Sequence, residues 1–203
     1  LMLDKDDKYI VTSEKAKISS QNSLMAIFVM ATAKGKKGTE QKYTSYAGSA
    51  GWEWLEDSHV VTKVIKDCQG LVRAAEHAKK MKFNHPIDII VSGEVSGIMA
   101  HENVGHPSEG DRILGREGAQ AGESFYADLL EENELGEVRL GTEEVSIIDD
   151  PTILGSPGFY LYDDECVKAK KRYLIKDGML NELLLNREYA ARFDTKSTAA
   201  ARA

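Results

Sequence analysis

Between His101 and Asp111 the chain places His101, Glu102, His106, Glu109 and Asp111, two histidines and three carboxylates, inside eleven residues. No other stretch concentrates reactive groups so densely. The interval between the histidines constrains the fold most. Imidazoles four residues apart lie about 40° apart around an α-helix and can reach one metal. Here the interval is five. On a regular helix those side chains point about 140° apart and are separated by about 7.5 Å along the axis, too far to share a tetrahedral ion with bonds of about 2 Å. Either both histidines decorate the surface of a helix that stops at Pro107, or the helix departs locally from α geometry.

Two residues supply such a departure. Gly105 tolerates backbone angles that other residues avoid. Pro107 has no N–H to give the carbonyl of Asn103 and biases His106 away from helical angles. A helix running in from about Ser96 is expected to widen or end near Gly105, as in a single π-turn, bringing His106 round to face His101. Glu102 then flanks a metal without ligating it, placed to take a proton from a water attacking a carbonyl.

The run His101-Glu102-Asn103-Val104-Gly105-His106-Pro107-Ser108-Glu109-Gly110-Asp111-Arg112 resembles the His-Glu-x-x-x-His signature of the TldD/PmbA family of metalloproteases, in its TldD-like branch. Further blocks keep the family order: Asp149-Asp150-Pro151-Thr152, Asp163-Asp164-Glu165, Leu174-Ile175-Lys176-Asp177-Gly178 and Asn186-Arg187-Glu188-Tyr189-Ala190. Tyr46-Ala47-Gly48-Ser49-Ala50-Gly51, with the strands and long helix around it, resembles the family's central segment. The resemblance implies a zinc (Zn2+) peptidase that hydrolyses peptides or unfolded polypeptide segments in the cytoplasm. His101 and His106 are then the metal ligands and Glu102 the general base. It also implies a homodimer, or a heterodimer with a PmbA-like subunit, and peptides bound in extended form against a sheet edge.

Three features depart from that pattern. Cys166 follows Asp-Asp-Glu where the family usually has glycine. Ser197-Thr198-Ala199-Ala200-Ala201-Arg202 resembles a Ser-Thr-Gly-Asn-Ala-Arg block without its glycine and asparagine. The family's third zinc ligand is a cysteine of the C-terminal domain, and this chain stops before that region. A fragment or truncated homologue is therefore expected, lacking the family's N-terminal domain and the end of its C-terminal one. Within the chain, Glu109, three residues past His106, is the better internal candidate for a third ligand. Cys166 reads as a buried strand residue. Because a catalytic zinc takes three protein ligands and an open position, the competing reading is a non-catalytic peptide-binding or assembly subunit.

A net charge of −7 over 203 residues argues against a nucleic-acid partner, which needs a concentrated basic face. Lys34, Lys36, Lys37 and Lys42 form the one basic cluster, and Gly35 and Gly38 mark it as a hairpin tip. No run reaches the length of a membrane span, and Leu1-Met2-Leu3-Asp4-Lys5-Asp6-Asp7 lacks the segments of a signal peptide. Cys68 and Cys166 fit neither a disulfide framework nor a zinc knuckle, so a reducing cytoplasm is the default.

The fold class expected is α+β, with antiparallel strands and a long helix followed by a strand–metal-helix unit leading into further β-hairpins. Strands are expected near 8–13, 23–33 and 40–50, with the two tryptophans after them lying over the sheet. A helix over about 56–82 follows, with Cys68 as a small core residue. A buried strand at Ile87–Val91 is expected to mount the motif helix, and a short helix to span Phe125–Leu135. Strands near 145–148 and 159–162, and a hairpin of 171–175 with 179–185, complete the pattern. The domain division expected is 1–84 and 85–203.

Overall fold

The glycines around the lysine-rich tip close a tight hairpin. Strand β1 spans Met2–Val11, β2 Lys17–Gly35 and β3 Gly38–Gly48, in the order β1-β2-β3. Antiparallel pairing of β2 with β3 runs from Met25↔Gly48 to Gly35↔Gly38, so Lys36-Lys37 are the two turn residues. The structure, a computed structural model, describes residues 1–202.

A one-turn helix α1 (Trp54–Asp57) and the long helix α2 (Val60–His77) follow, separated by His59 at φ 50°. One face of α2 lies on β3. Asp67 accepts from Lys42 Nζ at 2.7 Å and from the Tyr46 hydroxyl at 2.6 Å. The Lys42 ammonium and the Tyr46 hydroxyl hold the Asp67 carboxyl below its usual range. Lys42, a member of the basic cluster, is thus paired inside the fold. At the tip, Lys37 N–H donates to the Ala75 carbonyl at 2.9 Å, and a side chain at Gly35 would meet that oxygen at 2.5 Å. Trp54 packs over Gly48, whereas Trp52 is exposed, so one of the two tryptophans covers the sheet. Cys68 is half-buried at the helix–sheet boundary.

Apart from the ends of β1 and β2 within Ile10–Ile18, these elements belong to the first of two compact units, made of Leu1–Tyr9, Ser19–Ile89 and Leu154–Phe159. The second takes Ile10–Ile18, Ile90–Ile153 and the residues from Tyr160 onward. Its first helix, α3 (Gly93–Ala100), is capped by Ser92, whose hydroxyl accepts from Val95 N–H. A π-turn (His101–Gly105) and a 3₁₀ turn (His106–Ser108) continue it, followed by α4 (Gly110–Ile113) and α5 (Tyr126–Glu132). An antiparallel sheet in the order β4-β5-β6 contains Ile147–Asp149, Arg172–Lys176 and Met179–Leu180. Asp177-Gly178, at φ 50° and 78°, forms the two-residue turn that an Asp-Gly pair favours. Helix α6 (Arg187–Arg192) is capped by Asn186, which accepts from Tyr189 N–H at 2.7 Å. Val104, Ile113, Tyr126, Val138, Leu174, Ile175, Leu180, Leu183, Leu185 and Ala190 form the core of this unit. The α+β class with antiparallel sheets is as expected.

Several local expectations fail. Ile87–Val91 forms no strand, and Ile89 and Ile90 are exposed, because no segment among the described residues offers it a ladder. Residues 159–165 form no strand beyond an isolated bridge of Tyr162 with Lys168. The reason is Asp163, which is buried. Its Oδ1 accepts from the N–H groups of Glu165 (3.0 Å) and Val167 (2.8 Å), a side-chain turn that competes with extended structure. Cys166 therefore sits in a turn, half-buried, and not in a buried strand.

Cys166 also has φ 65°, and Ala199 has φ 60°. These are the two places where the family pattern has glycine, so the departures fall where the backbone is left-handed. A residue with a β-carbon pays about 1–2 kcal/mol there. Cys166→Gly is accordingly expected to raise stability by about 0.5–1 kcal/mol, after allowing for glycine's greater unfolded freedom. A matched pair of urea titrations measures it.

Gly105 is different. It has φ −57° and ψ −65°, and His106 φ −58° and ψ −46°, both right-handed, so neither residue leaves helical space as expected. A proline at the start of the 3₁₀ turn is compatible with this, since its missing N–H is not required there. A β-carbon at Gly105 would meet only the Ala100 carbonyl at 3.8 Å and His101 Nδ1 at 3.9 Å, ordinary contacts. Gly105→Ala is expected to keep the fold and to change stability by less than about 1 kcal/mol, toward stabilisation; thermal melts with matched circular dichroism check it.

Candidate metal centre

The histidines are brought together by one displaced hydrogen bond. His106 N–H donates to the carbonyl of His101, five residues back, in place of the α-helical partner four back. The next residue, Pro107, has no N–H for the carbonyl of Asn103. The turn takes in one more residue, and positions five apart fall on nearly one face. The imidazoles of His101 and His106 sit edge to face, with centroids 4.3 Å apart and planes at 69°.

Glu102 completes the group. Its Oε1 lies 4.0 Å from His101 Nε2. One potential ligand atom from each of His101, Glu102 and His106 lies within 4.8 Å of the other two, the one such group of three among the described residues. Nitrogens sharing a tetrahedral zinc are about 3.3 Å apart, so a modest side-chain closure would suffice. Two imidazoles and a carboxylate form a donor set that suits zinc and neighbouring divalent metals. The residues therefore fit a metal ion of that class.

The turn is fixed from below and from its downstream side. Val104 points into the core. Ser108, fully buried, donates its hydroxyl to the Val104 carbonyl at 2.6 Å, and Ser124 donates to the Pro107 carbonyl at 2.6 Å. Leu184 N–H donates to the Ser108 carbonyl (2.8 Å) and Gly110 N–H to the Leu184 carbonyl (3.0 Å), a short parallel bridge that ties the motif to the segment after β6. Gly110 lies close against Leu185 and Tyr189. The expected upstream strand plays no such part, so the site is mounted from the opposite end to that anticipated.

Side-chain exposure differs across the group. His101 and Glu102 are each 61% exposed, whereas His106 is 30% exposed. Glu109 does not join the convergent atoms as a third ligand. Its Oε1 lies 2.8 Å from His106 Nδ1 and its Oε2 accepts from Arg112 Nε. Cys166 is likewise outside the group. Sequence reading missed Arg112, Ser108 and Ser124 as supports of the motif. Arg112 was detectable as the acid–base pair three residues from Glu109; the two serines carried no signal, because their role depends on burial.

Residues 84–203 match the family described as the PmbA/TldA metallopeptidase C-terminal domain. A metalloprotease of Methanocaldococcus jannaschii is 32% identical over 97% of this chain and 40% of its own length. A metalloprotease of Methanothermobacter thermautotrophicus is 31% identical over 95% of this chain and 39% of its own. A zinc metalloprotease TldD homolog of Saccharolobus solfataricus is 25% identical over 97% and 41%. The chain thus spans about 40% of the length of these relatives. Among solved structures, TldE from Thermococcus kodakarensis superposes with a TM-score of 0.62 at 14% identity, covering 97% of this chain and 40% of that one, which shows a shared fold. With the family domain matched over more than half of its residues, and His101 and His106 converging where the turn widens, this chain belongs to the PmbA/TldD metallopeptidase family.

Proposed function

We propose that the whole protein is a zinc-dependent peptidase acting on peptides or unfolded polypeptide segments. His101 and His106 are its metal ligands and Glu102 its general base. The observation that carries this reading is the convergence of the two imidazoles and Glu102 on the π-turn. The name of the Saccharolobus solfataricus relative supports zinc as the ion.

Bound there, zinc would polarise the scissile carbonyl and acidify a water. The chain's own residues do the rest. His101 and His106 hold the ion through neutral ring nitrogens. Glu102, beside them and exposed to solvent, accepts the proton of the attacking water and returns it to the leaving amine. The π-turn carries that carboxylate beside the two imidazoles, so their closer approach needs side-chain movement alone.

A catalytic zinc takes three protein ligands, and in this reading the third is a cysteine of the protein's C-terminal domain, as in the family pattern. The protein works in the cytoplasm, as a homodimer or beside a PmbA-like subunit. No helix among the described residues is long and apolar enough to cross a membrane. A second reading, a non-catalytic peptide-binding or assembly subunit, draws on the group holding two imidazoles and, beyond them, only Glu102, which the first reading keeps as the base. Glu102, which such a subunit would not need, favours the catalytic one.

Metal content and one substitution test the choice. The whole protein is expected to carry about one zinc per chain. Glu102→Gln should retain that zinc and lose peptide hydrolysis by about 10²- to 10⁴-fold. Hydrolysis at the original rate would remove Glu102 from its role, and a metal-free protein with no hydrolysis would favour the binding subunit.

A further inference from the structure

The two imidazoles of the motif differ in what stands behind them. His101 is 61% exposed, and Glu102 Oε1 lies 4.0 Å from its Nε2. His106 has a built support on its Nδ1 edge. Glu109 Oε1 lies 2.8 Å from His106 Nδ1, and Arg112 Nε donates to Glu109 Oε2. Arg112 is 17% exposed and donates through Nη1 to the carbonyl of Ala121. The backbone of Glu109 is held as well. Its N–H donates to the His106 carbonyl at 3.1 Å, and it forms the parallel bridge with Leu184.

We propose that Glu109 is the positioning residue of His106, taking the hydrogen bond from Nδ1–H so that Nε2 is left as the lone-pair nitrogen for a metal. The proposal rests on the peptidase reading of the same site and deepens it. Glu109 thereby changes from a candidate ligand to the group that prepares one. In known metal sites the ring nitrogen that does not ligate commonly donates to a carboxylate, which sets the tautomer and raises the basicity of the ligating nitrogen.

The geometry presents a choice at Nδ1, because Arg112 Nη2 also lies 3.0 Å from it. One ring nitrogen carries either a proton or a lone pair, and serves one of the two neighbours. With the lone pair at Nδ1, Arg112 would donate to it, the proton would sit on Nε2, and that nitrogen could not ligate. Two features favour the other arrangement. Arg112 already donates to Glu109 and to Ala121, so its charge is satisfied without the ring. Glu109 Oε1 has the imidazole as its hydrogen-bond partner and, half-buried, would lose that bond if the ring turned its lone pair toward it. Arg112 then acts on Glu109, holding the carboxylate against Nδ1–H.

The test separates this assignment from the metal reading. Two-bond proton–nitrogen correlation spectra of the whole protein, stripped of metal at neutral pH, report the tautomer of each histidine. His106 is expected as the Nδ1–H form in the unmodified protein. Glu109→Gln, which keeps an acceptor oxygen, should preserve that form, and Glu109→Leu should lose it. Zinc affinity, measured against a chromogenic chelator, should fall about 10- to 100-fold in Glu109→Leu, with a smaller loss in Glu109→Gln. An Nε2–H form in the unmodified protein would overturn the assignment without reference to any variant. So would unchanged zinc affinity in Glu109→Leu. If the unmodified protein takes up no zinc, the metal reading fails, and the tautomer alone decides the role of Glu109.

Discussion

The hydrogen bond from His106 N–H to the His101 carbonyl spans one residue more than an α-helix allows, and the geometry of the motif depends on it. In a regular helix His101 and His106 would face different directions. The slip puts their rings edge to face with Glu102 beside them. It does so without unusual backbone angles, since Gly105 and His106 both stay in right-handed helical space. The absent N–H of Pro107 leaves the α-helical ladder no donor at the next step. Ser108 then supplies a side-chain donor to the Val104 carbonyl.

That turn is a surface feature with a buried root. Val104 joins the core of the second unit, Ser108 is fully enclosed, and residues 108–110 are bonded to Leu184 on both sides. His101 and Glu102 project from this base into solvent. Such a division suits a site that must be held rigidly yet reached by substrate. It also explains the unequal treatment of the histidines. His106 lies next to the anchored residues and is supported by Glu109 and Arg112, while His101 lies at the end of α3, whose other residues are largely exposed.

Legibility in the sequence follows the range of the forces involved. The lysine tip, the Asp177-Gly178 turn and the widened helix were readable because each rests on local backbone chemistry: a glycine pair, a left-handed dipeptide, a proline. The strand at Ile87–Val91 was misread for the converse reason, since an apolar β-branched run signals extended structure without saying whether a neighbour exists to pair with it. The segment around Asp163 was misread because a single buried carboxylate, accepting two backbone N–H groups, outweighed the aromatic pattern before it. Cys166 and Ala199 looked like losses in the family pattern. Their positive φ values show what the glycines would have supplied, a backbone conformation and not a chemical group.

By itself the sequence singled out His101, Glu102 and His106 as one group, and the need for a non-α turn between the histidines, because the five-residue interval and Pro107 are local facts. It also determined the family, through blocks that keep their order along the chain. That Glu109 stands behind the ring of His106, outside the convergent group, was decided only by tertiary structure. Glu102 and Glu109 are the same residue type a few positions apart in one motif. They differ because Arg112 and the bridge to Leu184 hold one of them against the far edge of His106, and the Leu184 contact joins segments that periodicity and spacing cannot bring together.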